Sequence, residues 1–152
     1  MPVQKDAHKK FKDYLKTGKH RVTPERFEVL DAALDQNGHF GADDLYVTMK
    51  TNKSNISRAT VYNTLELLEQ CGILARRNFG DNISRFEASI NRKNHDHLIC
   101  TNCGEIKEFS SPKIQNIVNE ISKELGFDST GYSFNIFGKC TSKNCKHKIN
   151  ND

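Results

Sequence analysis

One short stretch, residues 94–104 (NHDHLICTNCG), carries two kinds of metal-binding side chain. Cys100 and Cys103 form a C-x-x-C pair, and Cys140 and Cys145 form a second close pair near the C-terminus. Thiolates in two such pairs suit a tetrahedral zinc site, because a tight turn after the first cysteine lets both sulfurs reach one ion. Gly104 eases that turn. Four sulfurs leave no open position, so this zinc is expected to hold structure rather than to catalyse. His95 and His97 stand two apart, so on a strand both leave by one face. Imidazoles with carboxylates suit a different ion: divalent iron, manganese or zinc. Glu108, expected on the adjacent strand, converges with them. His39 and Glu87 lie in or beside the preceding domain. An ion held by all five would tie two domains together.

The elements that must position these residues follow from periodicity and punctuation. A polar helix over 4–17 carries the stripe Ala7, Phe11, Tyr14 and Leu15, and Gly18 ends it. Thr23 is expected as the N-cap and Pro24 as the first residue of a second helix reaching about Asp35. A third helix covers 42–50, with Leu45, Val47 and Met49 partly inward. Ser57 caps a fourth, 58–70, whose core stripe is Val61, Leu65 and Leu68, and Cys71-Gly72 closes it. Strands follow at 73–79 and 83–87, joined by a turn at 80–82. A joint is placed at 89–94. Beyond it come strands at 97–100 and 105–109, and a helix from Pro112 with the stripe Ile114, Ile117, Val118, Ile121 and Leu125. The alternating run 132–137 gives a last strand.

Helices followed by a basic hairpin make a winged helix. The expected class is α+β: a winged helix-turn-helix domain over 1–88, a hinge over 89–94 and a small α/β domain over 95–152. The fourth helix would enter the major groove by its N-terminal end. Arg58, Thr60, Tyr62 and Asn63 occupy its exposed front. Arginine can pair with guanine, asparagine with adenine, and tyrosine can meet a thymine methyl or a phosphate. Arg76, Arg77 and Arg85 would serve the wing.

The chain has 152 residues and a formal net charge of +4, which permits nucleic-acid binding without showing it. No apolar run approaches membrane-spanning length, and the N-terminus is too polar for a signal peptide. A cytoplasmic protein is expected, in which five cysteines argue for metal rather than disulfides. Cys71 has no near partner and is read as a small, half-buried residue.

At this point the chain resembles the ferric uptake regulator (Fur) family of bacterial metal-dependent repressors. The resemblance runs from about Arg21 to Cys145. It rests on 21–26 (RVTPER), 58–62 (RATVY), 84–87 (SRFE), His95-Asp96-His97-Leu98-Ile99-Cys100 with Cys103-Gly104, and Cys140 with Cys145. It implies a winged helix, an α/β dimerisation domain, a homodimer, and a regulatory ion that promotes binding to double-stranded operator DNA. By position, the regulatory ligands are His39, Glu87, His95, His97 and Glu108. The structural zinc ligands are Cys100, Cys103, Cys140 and Cys145. Arg21 matches a basic residue that reaches toward the minor groove, and Tyr62 matches a base-contacting tyrosine.

The regulatory ion is expected to be ferrous iron, with manganese or zinc as substitutes, and the function to be control of iron homeostasis. A peroxide-sensing repressor is the alternative within the family. Asn63, where iron-type members often have arginine, favours that branch. Glu108, where that branch typically has aspartate, favours iron, and it carries more weight because it sits at the metal. A further metal site known in some members is expected to be absent or very weak, since Asn94, Gln115 and Tyr132 replace its ligands beside Asp96. The rival from another class is a zinc hydrolase with Glu108 as its base. Five protein ligands leave little room for a substrate, so no catalytic residue is assigned.

Overall fold

A computed structural model describes residues 2–79, 83–91, 95–141 and 145. The expected turn at 80–82, residues 92–94 of the joint and the tail from 146 lie outside the described residues. The chain divides into two compact units, Met1–Lys93 and Asn94–Asp152.

In the first unit, α1 (Pro2–Thr17) buries Ala7, Phe11 and Leu15, the one-turn repeat that the pattern predicts. The left-handed residue that ends it is Lys19 (φ 57°), not Gly18, and the His20 N–H closes on the Leu15 carbonyl at 2.8 Å. In α2 (Pro24–Leu34), Val29, Leu30 and Ala33 turn inward. Thr23 holds the expected N-cap position in extended conformation, but its side chain makes no capping hydrogen bond. In α3 (Ala42–Thr51), Leu45 and Met49 are buried while Val47, half a turn from both, is 59% exposed and faces out. Ser57 caps α4 (Arg58–Gln70) by accepting the Thr60 N–H at 3.2 Å. Val61, Leu65 and Leu68 complete one core with α1, α2 and α3. Each such leucine contributes about 1.5–3 kcal/mol by leaving water.

The hairpin of β1 (Leu74–Asn78) and β2 (Ser84–Ala88) is antiparallel, with Arg76 opposite Phe86 and Arg77 opposite Arg85. Phe40, just before α3, forms an isolated bridge with Phe86. Each N–H donates to the other's carbonyl, at 3.0 and 2.8 Å. This bridge clips the hairpin to the helices. The N–H groups of Ser89 and Ile90 both donate to the Ile73 carbonyl, and Ile90 joins the core. The first residues of the expected joint are therefore fastened to this unit.

In the second unit, β3 (Asp96–Cys100) is the centre of a three-stranded sheet. It pairs antiparallel with β4 (Ile106–Phe109) and parallel with β5 (Asn135–Gly138). The last strand begins at Asn135 rather than at Tyr132. Residues 132–133 precede the ladder, and the Phe134 carbonyl accepts the His97 N–H at 3.2 Å at its entry. Parallel pairing needs a crossover, supplied by α5 (Pro112–Glu124), which buries none of its residues. Its apolar stripe is uncovered: Ile117 is 54%, Ile121 49% and, just beyond, Leu125 70% exposed. Among the described residues no helix is long and apolar enough to cross a membrane. The whole is an α+β chain, a winged helix followed by a small α/β domain.

Candidate metal centres and nucleic-acid face

Parallel pairing of β3 with β5 brings the C-terminal ends of both strands to the same edge, Cys100 opposite Gly138. The Thr101 N–H donates to the Gly138 carbonyl at 2.7 Å, and Cys140 follows at once. After Cys100 the chain turns back on itself through Gly104 (φ 76°), whose N–H donates to the Cys100 carbonyl at 2.9 Å. A side chain is rarely tolerated at such a φ. The two pairs thereby face each other. Cys100 Sγ lies 3.7 Å from Cys145 Sγ, Cys103 Sγ lies 3.7 Å from Cys140 Sγ, and all four sulfurs fall within 4.8 Å of one another.

A disulfide needs about 2.05 Å. Four sulfurs each about 2.3 Å from one zinc stand about 3.8 Å apart along the edges of a tetrahedron, a spacing that the two 3.7 Å pairs match. The donor set therefore fits a zinc ion. The backbone prepares for charge at this edge. The N–H groups of Cys103 and Cys140, each 3.4 Å from Cys100 Sγ, pull that thiol down to about 5. Cys140 is pushed up, mainly by the sulfur of Cys100 beside it. Cys103 is raised overall. A hydrogen bond from the Glu105 backbone pulls it down, and burial with the Cys100 and Cys145 sulfurs more than offsets this. One thiolate thus faces thiols that release their protons when a cation arrives.

The imidazoles and carboxylates form two sets, one in each unit. In the first unit, the Phe40–Phe86 bridge places the neighbours of both phenylalanines side by side. His39 Nε2 lies 2.7 Å from Glu87 Oε2. The edge of the Phe79 ring packs against His39, with centroids 5.2 Å apart. Glu87 is buried, and its other oxygen accepts from Arg77 Nε at 2.8 Å. In the second unit, His97 on β3 stands opposite Glu108 on β4. The His95 and His97 rings are 4.8 Å apart, and His95 Nε2 lies 3.4 Å from Glu108 Oε1. This set is two imidazoles and a carboxylate, donors suited to a borderline divalent ion. Asp96, one step along β3, is buried with its Oδ2 lacking a hydrogen-bond partner among the described residues. Gln115 is turned along α5, donating to Asn119 Oδ1 at 2.9 Å.

On the first unit, Tyr62 and Asn63 are exposed on α4, Arg58 stands at its N-terminus, and Thr60 is half-buried beside Ser57. Tyr62 OH donates to Asp43 Oδ1 at 2.7 Å, and Arg58 Nη1 donates to the same oxygen at 2.7 Å. Arg21 is exposed at the entry to α2, where Arg26 donates to its carbonyl. Arg76 is tied to Glu69 at 2.9 Å and lies over the Phe86 ring, 5.0 Å from its centroid. The guanidinium of Arg77 is turned toward Glu87, next to the imidazole–carboxylate pair rather than away along the wing. Sequence reasoning missed three contacts: the Phe40–Phe86 bridge, the Arg77–Glu87 pair and the Asp43 hub. The only trace of the last is an acid in the first turn of α3, which reads as a helix-dipole partner.

The model of the ferric uptake regulator family matches residues 17–137. The chain belongs to that family. It is 35% identical over 128 residues, 84% of each chain, to the peroxide-responsive repressor PerR of Staphylococcus aureus. Among solved structures it resembles the Vibrio cholerae ferric uptake regulator (35% identity, TM-score 0.68, 83% of this chain and 96% of that one). It also resembles that of Francisella tularensis, solved with iron (33% identity, TM-score 0.70, 84% and 95%). Fur-family proteins are metal-responsive transcriptional regulators, not enzymes, so the hydrolase reading falls away.

Proposed function

We propose that this chain is a ferrous-iron-dependent repressor, acting as a homodimer on double-stranded operator DNA. The observation that carries the reading is the division of ligands. The first unit holds one imidazole and one carboxylate, His39 and Glu87, fixed by the Phe40–Phe86 bridge. The second holds His95, His97 and Glu108 on one sheet face. Each set by itself is incomplete. A ferrous ion would supply bonds to both at once and favour one relative posture of the units. Converting a mostly open population into a mostly closed one takes about 5 kcal/mol of differential affinity, a moderate demand on the two donors of the first unit. His39 and Glu87 must exchange their mutual contact for the ion, while Arg77 stays to hold Glu87 in place. The DNA-binding domains of the Vibrio cholerae relative undergo structural rearrangement, which supports a movable winged helix. Zinc at the four cysteines would pin β5 to the β3 edge, and the bare stripe of α5 with Ile136 and Phe137 of β5 would form the dimer contact.

A peroxide-sensing role is the second reading. It is favoured by the 35% identity to PerR and by Asn63, and opposed by Glu108. Mass spectrometry after peroxide treatment of the iron-loaded protein decides it: an added oxygen on His39 or His95 establishes sensing. Operator binding titrated with iron, manganese and zinc, on protein whose tightly held zinc has been counted, tests the main proposal. The His95→Ala variant should lose metal-stimulated binding and remain a folded dimer. Metal-dependent binding that survives in this variant overturns the assignment.

A further inference from the structure

The two α4 residues best placed to meet DNA are not idle in the free protein. Tyr62 OH and Arg58 Nη1 both donate to a single oxygen, Asp43 Oδ1, each at 2.7 Å. Asp43 belongs to the first turn of α3, so the contact spans the two helices of the helix-turn-helix. The Tyr46 ring supports it from beneath, with the Arg58 guanidinium 5.0 Å and the Lys50 ammonium 5.7 Å from its centroid. All three members of the hub stand in solvent: the side chains of Arg58 and Asp43 are 60% and 63% exposed and Tyr62 is 42% exposed. The neighbouring Asp44 is engaged elsewhere, accepting the Gly41 N–H at 3.2 Å.

We propose that Asp43 is an internal competitor for DNA, occupying the donors of Arg58 and Tyr62 until base edges or phosphates of the operator displace it. The inference rests on the DNA-binding reading above. A duplex that uses both donors must first break the hub, and the released carboxylate then faces a polyanion. A duplex that binds by phosphate contacts elsewhere leaves the hub intact. Loss of Asp43 therefore helps the operator, which must break the hub, more than a scrambled duplex held by phosphate contacts elsewhere. Simple removal of a negative charge would help all duplexes equally. The hub also explains why the Tyr62 phenol is held above its ordinary value, chiefly by its hydrogen bond to Asp43.

The test compares the metal-loaded wild-type protein with Asp43→Ala, Asp44→Asn, Tyr62→Phe and Asp43→Ala/Tyr62→Phe, on operator and scrambled duplexes by fluorescence anisotropy. Exposed pairs of this kind are worth about two- to fivefold in an equilibrium constant. Asp43→Ala should tighten operator binding by about that factor per half-site and scrambled DNA by less. The gain should shrink when Tyr62→Phe is the background, and Asp44→Asn should shift both duplexes alike. In a nuclear magnetic resonance titration of the tyrosine rings, Asp43→Ala should lower the Tyr62 midpoint. Equal gains on both duplexes, no gain on the operator, or an unmoved Tyr62 midpoint each overturn the proposal. A wild-type protein that binds no duplex defeats the repressor reading instead, and the ring titration still decides whether the hub exists.

Discussion

Replacing Ile121 with aspartate tests how the second unit completes its fold. Ile121 lies at the middle of the uncovered α5 stripe and is 49% exposed. Full burial of an isoleucine is worth about 1.5–3 kcal/mol, so covering the exposed half is worth about 1 kcal/mol. A two-fold interface uses the same patch on both protomers and counts this twice, about 2 kcal/mol. Ile121→Asp removes that and adds one unpaired carboxylate per protomer, each costing at least about 1 kcal/mol to desolvate. The sum, about 4 kcal/mol, is about a thousandfold in the dimer dissociation constant. Sedimentation velocity from nanomolar to micromolar protein reads it directly, with circular dichroism confirming that the helices remain. Asn116→Asp, on the opposite side of α5, is the control and should leave the dimer intact. An Ile121→Asp protein that sediments as the wild-type dimer refutes α5 as the contact.

The remaining predictions concern the zinc site and the core. Cys100 is already a thiolate at neutral pH, whereas Cys103 and Cys140 are held protonated. Zinc binding near pH 7 should therefore release at least two protons, with affinity rising as pH rises. The Cys100 proton should join them only as pH falls through about 5, and calorimetry in buffers of different ionisation enthalpy counts them. X-ray absorption of the purified protein should show four sulfurs at about 2.3 Å from zinc. A mixed nitrogen–sulfur shell would contradict the four-cysteine site. Phe11→Ala should destabilise the first unit by about 3–5 kcal/mol in urea unfolding, because Phe11 is wholly buried against Phe27, with ring centroids 5.4 Å apart.

Much of this was legible in the residues because the strongest signals are local. The spacing of Phe11 and Leu15, the Ser57 cap and the two cysteine pairs each encode their geometry within a few positions, and each forms where expected. What the sequence hid depends on contacts between distant segments. Nothing in His39-Phe40 announces that Phe40 will bridge Phe86, yet that bridge is what sets His39 beside Glu87. The run 132–137 alternates as far as Ile136, but alternation cannot say where a ladder begins, and the register with β3 starts at Asn135. Arg77 looked like one more wing cation because its sequence neighbours are basic. Its partner, Glu87, lies on the opposing strand. The α5 stripe was legible as an apolar stripe but not as one that this single chain leaves bare.

The central claim is that ligands from both units grip one ion. Manganese is a spin probe for that site, and its binding can be followed by electron paramagnetic resonance in protein with its zinc in place. The account predicts one regulatory manganese per chain, weakened at least tenfold both by Glu87→Ala in the first unit and by His97→Ala in the second. Unchanged manganese affinity in the Glu87→Ala protein, with His97→Ala abolishing it, would contradict the account, because the ion would then belong to the second unit alone.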